Sequence, residues 1–448
     1  MDVSRDTAFQ LRLGAPEDML VRFDGLKRPV GVALQAIFAA RHAASTKYWA
    51  DVVNTTCHTI DDLRAVMARR VPPPTADYYF GAADREITMG DNERALREAR
   101  FKPRMGLHLD TVTMHTTVLG QAISLPVIAA PVGSLRNLWP RGEAVAAAAV
   151  GKAGSICTLS TLTGTRLEEV KEAANGPCWF QLYLVGGKDV ARKSIARAQA
   201  SGYAALVLTI DTPVAGRRLR DKRNGAETLI NGTWTQKLPY TLMMVRHERW
   251  FTSFCADGGL MEFPNIVLDS GKAMPYADIA QQLQASAVTW DDIPWIREAW
   301  HGPLVIKGVH SLEDAQRAVE CGAEALVISN HGGRQLDQVC STLEVLHEVA
   351  PALQGANVEI LMDGGIRSGL DVLMALATGA KAVLIGRAYA YGLGAGGEAG
   401  VTKAFDIIRG EIAHNMRLLG CQSITELNAS YIAKYPFETS GMPRVALP

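Results

Sequence analysis

Eight short apolar runs, each closed by polar or glycine residues, do most to limit what this chain can fold into. They occupy residues 125–131, 155–160, 179–184, 205–211, 304–309, 325–331, 359–365 and 382–387. Near-continuous apolar runs, unlike alternating ones, mark strands buried on both faces, as in parallel sheets. Stretches with helical patterning separate most of them, at 142–153, 166–174, 190–200, 312–321 and 369–378. Eight strand–helix units predict an α/β protein built as a (β/α)8 TIM barrel. A doubly wound open sheet competes, and one stretch fits it superficially. Gly392-Leu393-Gly394-Ala395-Gly396-Gly397 matches the Gly-x-Gly-x-x-Gly dinucleotide pattern. That pattern has meaning only where a strand passes straight into a helix, with an acidic residue about twenty positions on. Residues 387–391 intervene here, so the stretch reads as a glycine-rich helix end.

A chain of 448 residues holds one large domain or two ordinary ones. Its 46 basic and 46 acidic residues cancel, so no electrostatic argument points to nucleic acid or an anionic surface. The 7 cysteines are odd in number and include no Cys-x-x-Cys pair, which predicts reduced thiols and no metal site. No apolar stretch is long enough to span a bilayer. Residues 30–40 are apolar apart from Gln35 and resemble a signal core, but Asp2, Asp6, Glu17 and Asp18 precede them. An ordinary helix and a cytoplasmic location are expected. The barrel reading leaves residues 1–56 as an N-terminal extension without an assigned role and makes 57–448 the barrel domain. Within it, 57–124 read as a helical lead-in, and 212–303 as a long insertion after the fourth strand, over the barrel mouth.

Chemistry in such a barrel belongs at the C-terminal ends of the strands. The second run ends in Ser160, the third carries Gln181 and Tyr183, and the fourth carries Thr209 and Asp211. Lys307, Ser329, His331, Asp363, Gly386 and Arg387 follow on the remaining four. So many polar ends at one mouth predict a binding site. The sixth is the richest: Ser329-Asn330-His331-Gly332-Gly333-Arg334-Gln335-Leu336-Asp337. Histidine suits proton transfer near neutrality, arginine offers a planar fork for a carboxylate, and glycines allow close approach. A base beside such a fork suggests chemistry on the carbon next to a carboxylate. Gly364 and Gly365, in the turn after the seventh strand, offer backbone N–H groups to an anion, while Arg387 and Arg367 add charge. Lys307 emerges from an apolar strand and requires an anionic partner. Plainer roles compete: a salt bridge for Lys307, a turn for Asp211, core packing for Tyr79.

Several ordered motifs carry a resemblance. Asp77-Tyr78-Tyr79, Phe180-Gln181-Leu182-Tyr183, Leu208-Thr209-Ile210-Asp211-Thr212-Pro213 and Ile306-Lys307-Gly308-Val309 join the His331 run, Asp363-Gly364-Gly365-Ile366-Arg367-Ser368-Gly369 and Ile385-Gly386-Arg387. Together they resemble the FMN-dependent L-2-hydroxy acid dehydrogenase and oxidase family, which includes glycolate oxidase, L-lactate dehydrogenase, mandelate dehydrogenase and the flavin domain of flavocytochrome b2. Residues 213–221 and 246–250 are most similar to the L-lactate dehydrogenase branch. The resemblance implies FMN as cofactor. Ser160, Gln181 and Thr209 would hydrogen-bond the flavin, and Ala130, Pro131 and Gly133 would pass against its ring. Lys307 would sit by the N1–O2 edge, with Ser329, Asp363, Gly364, Gly365, Arg367, Gly386 and Arg387 completing the cofactor site. The substrate carboxylate would lie between Arg218 and Arg334, with Tyr78 donating to it and Tyr183 facing the hydroxyl. His331 would be the base and Asp211 its orienting partner. The base either takes the α-hydrogen as a proton, or takes the hydroxyl proton while hydride passes to flavin N5.

The resemblance also implies a homotetramer or octamer, and a quinone, a redox protein or O2 as electron acceptor, with a dehydrogenase favoured over an oxidase. Leu242, Val245, Arg249, Trp250 and Phe254 in the insertion could face a membrane or redox partner, or pack over the mouth as a lid. Three positions depart from the pattern: Val132 where threonine is usual, Trp139 for a common histidine, and Leu162 where glycolate oxidase has tryptophan. Leu162 leaves room for lactate or a larger acid. Two other readings compete: a relative recruited to oxidise a peptide or natural-product intermediate, and a non-catalytic flavin-binding scaffold. Retention of His331, Arg334, Arg218 and Tyr78 argues against both.

Overall fold

The computed structural model describes residues 10–13, 19–22, 28–268 and 271–437. Eight parallel strands form a closed barrel: β1 Val127–Ala129, β2 Cys157–Leu159, β3 Cys178–Leu182, β4 Ala205–Thr209, β5 Leu304–Val309, β6 Ala325–Ile328, β7 Glu359–Met362 and β8 Ala382–Ile385. Val383 pairs with Val127 and Ile385 with Ala129, which closes the ring between β8 and β1. Every apolar run forms its strand. In all but the fifth, however, the ladder stops before the polar end of the run. Ser160, Asp211, His331, Asp363 and Arg387 therefore follow their strands. The chain must leave the ladder to turn there, and it does so through left-handed backbone at His331, Gly332, Gly333, Gly364 and Gly365.

Successive strand residues alternate between two cores. Val207, Val305, Val327, Leu361 and Leu384 fill the barrel interior around Trp179. Leu206, Leu208, Ile306, Leu326 and Ile328 pack outward against the helices. Those are Gly142–Lys152, Leu167–Ala173, Lys188–Ala200, Ile293–Ala299, Leu312–Glu320, Thr342–Ala352, Gly369–Thr378 and Arg387–Leu419. The expected helical lead-in holds for Ile60–Arg70, Pro73–Phe80 and Ile87–Glu98 but fails beyond them. A hairpin, Thr116–Val118 with Gln121–Ile123, turns through left-handed Leu119 and Gly120. Val118 and Ile123 join the interior cluster and plug the barrel floor. Leu119-Gly120, a two-residue turn between Thr-Thr-Val and Gln-Ala-Ile, was the missed signal.

Residues 30–40 lie in the helix Arg28–Thr56, whose buried Val53 joins the outer core. The insertion begins with short helices at Leu219–Arg223, Ala226–Asn231, Trp234–Lys237, Thr241–Arg246 and Glu248–Ala256. An antiparallel pair, Glu262–Val267 with Ala273–Pro275, and the helix Ile279–Ala285 follow. The final helix of the span 212–303, Ile293–Ala299, serves as the barrel's fourth outer helix and buries Ile293 and Ile296. Among the described residues no helix is long and apolar enough to cross a membrane.

The glycine-rich stretch 392–397 is a kink inside the last helix, not a nucleotide loop. Gly396 and Gly397 break its geometry, with φ of −151° and 60°. A Cβ on Gly397 would lie 2.4 Å from the Trp139 ring. Gly397→Ala should therefore cost about 2–4 kcal/mol through overpacking and positive φ, read as a lower denaturant midpoint. Gly410→Ala, in the same helix with nothing within 4 Å of the new Cβ, should leave the midpoint in place or raise it slightly.

Candidate active site

A cavity of about 1410 Å³ opens at the C-terminal end of the barrel. Single small-ligand pockets run to about 300–1,000 Å³, so this one has room for a cofactor and a substrate together. His331, Arg334, Arg218, Tyr78, Tyr183 and Lys307 all line it. Asp211, Gln181, Thr209 and Ser329 do not, and support it from behind.

His331 Nδ1 lies 2.8 Å from Asp211 Oδ1. An ionised carboxylate can only accept, so Nδ1 carries the hydrogen and Nε2 keeps its lone pair for the cavity. His331 has φ of 56°, an uncommon conformation for a residue with a Cβ. Several bonds hold it there. Ser329 Oγ accepts from His331 N at 3.1 Å and from Lys307 Nζ at 3.0 Å. Behind it, Asn330 and Asn92 exchange reciprocal amide bonds of 2.8 and 2.9 Å. Asn92, on the helix Ile87–Glu98, was missed because one asparagine in a polar helix gives no signal of its own.

Lys307 is 3% exposed, with Nζ 3.2 Å from Asp363 Oδ2 and 3.9 Å from Asp211 Oδ2. Burial alone would lower its pKa, but the two carboxylates outweigh this and raise it, so the ammonium is charged at neutral pH. For Asp211, burial raises the pKa while the charges of His331 and Lys307 hold it down, at about 2. Tyr183 is shifted up by burial, and further by Asp211, so its phenol remains a donor.

Two guanidinium groups stack on Tyr78, Arg334 at 4.9 Å and Arg218 at 5.1 Å from the ring centre. Arg218 Nε also binds Asp221 Oδ2 at 2.8 Å, and Arg334 Nη1 donates to the carbonyls of Tyr78 (2.6 Å) and Gly81 (3.2 Å). Tyr79 is buried and gives its hydroxyl to Ser134 O, a packing role as expected.

The turn after β7 and the start of the helix Arg387–Leu419 face the same cavity through Asp363, Gly364, Gly365, Gly386 and Arg387. Both arginines expected to fork a phosphate are already engaged. Arg387 donates to the carbonyls of Tyr79, Gly332 and Gly81 at 3.1, 2.9 and 2.7 Å. Arg367 bonds Ile366 O and pairs with Glu93 at 3.0 Å. Arg387 contributes charge here and Arg367 is offset by Glu93, while the glycine turn and helix N-terminus offer the directed N–H groups. Burial brings Arg387 down to about 10, still fully charged at neutral pH.

On the opposite wall, Ser160 Oγ donates to Gln181 Oε1 at 3.1 Å. Gln181 Nε2 and Thr209 Oγ1 are buried without a hydrogen-bond partner. Ala130, Pro131 and Gly133 line the cavity beside Leu162 and Val132. Trp139 does not: it packs under the Arg70 guanidinium, 4.1 Å from its ring. The insertion supplies the remaining wall, with Leu260, Phe263, Tyr276, Ile279 and Leu283. Tyr276 stacks on Phe263 at 5.5 Å, and burial together with nearby Tyr78 raises its pKa. None of these was anticipated, because the insertion has no periodic pattern and only its tertiary packing brings them to the cavity.

The family described as FMN-dependent dehydrogenase matches residues 67–434. The chain belongs to this family. L-lactate dehydrogenase of Pectobacterium atrosepticum is 38% identical over 376 residues, covering 83% of this chain and 96% of the relative. L-lactate dehydrogenase of Acinetobacter baumannii is 39% identical over 377 residues, covering 84% and 97%. Among solved structures, a monotopic membrane protein, (S)-mandelate dehydrogenase, superposes with TM-score 0.78 at 33% identity, covering 85% of this chain and all of that one. Mandelate oxidase gives 0.71 at 32%, covering 85% and 99%. The cavity of this FMN-dependent dehydrogenase fits its cofactor: buried Gln181 Nε2 and Thr209 Oγ1 lack partners, a cation lines the wall, and a glycine turn meets a helix N-terminus.

The Asp211 shift has a consequence for acid stability. Its folded pKa is depressed from the ordinary 3.8 to about 2, so ionisation contributes stability above about pH 4 that is lost as pH falls toward 2. Asp211→Asn should remove about 2 kcal/mol of that dependence. Urea denaturation from pH 5 to 2 should show a shallower loss of stability than in the unsubstituted protein.

Proposed function

We propose that the chain oxidises an L-2-hydroxy acid with an apolar side chain larger than methyl to the 2-oxo acid, and that a lipid-soluble quinone is the electron acceptor. The observation that carries this reading is the His331–Asp211 pair opening onto the same cavity as Arg218, Arg334 and Tyr78. Bound FMN supplies the oxidant, taking two electrons from the acid and passing them on. The chain's own residues do the rest. Arg218 and Arg334, offset by Asp221, leave one net positive charge, which matches a monocarboxylate. Tyr78 donates to that carboxylate and Tyr183 to the hydroxyl group. His331 Nε2 accepts the proton, and Asp211 stabilises the imidazolium that results. Ser160, Gln181, Thr209 and Lys307 hold the flavin, with the Asp363–Gly365 turn and Gly386–Arg387 at its phosphate.

Leu162, Leu260, Phe263, Tyr276, Ile279 and Leu283 support an apolar substrate side chain. Each buried CH2 adds about 0.8 kcal/mol, roughly fourfold in affinity. Outside, Leu238 and Leu242 are 56% and 60% exposed on the insertion, whereas Val245 lines the cavity and Trp250 turns inward and stacks on Phe254 at 4.9 Å. The insertion thus lids the cavity with one side and offers an apolar face on the other. That face supports peripheral docking on a membrane, where a quinone resides, and the monotopic (S)-mandelate dehydrogenase favours the same reading.

The test is anaerobic mixing of the yellow protein with glycolate, L-lactate, L-2-hydroxyisocaproate and L-mandelate, following the oxidised-flavin absorbance. The larger acids should bleach it at least as fast as lactate, with glycolate slowest. His331→Gln should slow bleaching by about a thousandfold with FMN retained. Leu238→Glu with Leu242→Glu should abolish co-sedimentation with lipid vesicles and leave bleaching intact. A flavin that no acid bleaches would sink the reaction, and an acid preference for glycolate would sink the pocket.

A further inference from the structure

One amide side chain joins the base to the carboxylate-binding arginines. Gln335 follows Arg334 directly and bonds a single turn three times. Its Nε2 donates to the carbonyl of Asp211 at 3.1 Å and of Val214 at 3.0 Å. Its Oε1 accepts from the backbone N–H of Gly216 at 3.2 Å. Residues 211–216 lie between β4 and the helix Leu219–Arg223 and belong to neither. Their polar groups must find partners elsewhere, and a primary amide can supply both donors and an acceptor.

The turn also lies flat on the loop that carries Gln335. A Cβ on Gly216 would come within 1.9 Å of Arg334 O. Beyond the turn, Asp84 N donates to Arg217 O at 2.9 Å, and Arg217 Nε pairs with Asp84 at 2.6 Å. Asp84 therefore braces the far end and β4 the near end, while Gln335 spans the middle. At the near end is Asp211, bonded to His331; just past the far end is Arg218, over Tyr78.

We infer that Gln335 is a positioning residue that fixes the spacing between the Asp211–His331 pair and Arg218, keeping the base in register with the substrate carboxylate. The inference rests on the roles proposed above for His331 and Arg218. A misplacement of about 1 Å in such a constellation costs on the order of a hundredfold in rate, which a turn tethered by one side chain can readily incur.

Gln335→Leu removes all three bonds. Gln335→Asn keeps the amide but one methylene short, and puts folding less at risk. In the flavin-loaded chain both should lower kcat/KM for the acid by on the order of a hundredfold, split between a rise in KM of about tenfold as the carboxylate clamp loosens and a fall in kcat of about tenfold as the base slips out of register. The inhibition constant of a carboxylate without the hydroxyl, such as isocaproate, should rise in parallel. Hydrogen exchange in residues 211–218 should quicken, with β4 and β5 unchanged. Unaltered exchange would overturn the tether. Quicker exchange with unaltered KM and inhibition constant would make Gln335 a structural tie and overturn the positioning role. If no hydroxy acid bleaches the unsubstituted flavin, the proposed reaction fails separately. Isocaproate binding, read from the flavin spectrum, then still decides whether Gln335 sets the arginine.

Discussion

The C-terminal end of one short helix, Pro73–Phe80, is where the site is fastened. The last carbonyls of a helix have no partner within it and carry its partial negative charge. Here two barrel loops answer them. Arg334, after β6, binds the carbonyls of Tyr78 and Gly81, and Arg387, after β8, binds those of Tyr79 and Gly81. A segment outside the barrel thereby holds two of its loops in place and presents the Tyr78 ring to Arg218 and Arg334. If this helix end moved, Arg334 and the start of the last helix would both move with it.

A second constraint lies deeper. Buried Lys307 needs anionic partners, and Asp211 is one of them while also orienting His331. The backbone makes room for this. Gly308 has φ of 101°, and a Cβ there would lie 2.6 Å from Asp211 Cβ. The β5–β6 register slips at the same place, between Lys307 and Val309. Lys307 and His331 thus share one carboxylate, so the charge state of either is felt by the other. Removing one member of such a buried set leaves its partners unpaired, the costly case for buried charge.

The barrel was legible because strands buried on both faces require continuous apolar residues, and eight such runs leave few other architectures. His331, Arg334, Asp211 and Lys307 were legible because polar residues at the ends of such runs have no place in a core. The strand ends were overrun, since each run was carried through to the polar or glycine residues that close it, and in all but the fifth the ladder stops before them. The work of Arg387 and Arg367 could not be read from sequence: carbonyls at a helix end and Glu93 leave no mark next to an arginine. Nor could Tyr276 or Phe263, which reach the cavity only through the packing of an insertion without periodicity. Gln335 lay in plain view inside the richest motif, but its three partners are more than a hundred residues away.

Around Tyr78 the charges do not cancel. Arg218 has Asp221 as a counter-charge, whereas Arg334 and Arg387 are bonded by carbonyls, which satisfy a guanidinium without neutralising it. Their mutual repulsion is visible in the pKa directions. Burial lowers Arg334 and nearby Arg218 lowers it further; burial lowers Arg387, with Arg367 and Arg334 adding to the effect. Such an excess of buried positive charge costs stability in the free protein. The proposed ligands would offset it, a substrate carboxylate at Arg218 and Arg334 and the FMN phosphate beside Arg387. On the proposed reading, selectivity for an anionic substrate and an anionic cofactor would have a single physical origin, the charge left unbalanced at the end of one helix.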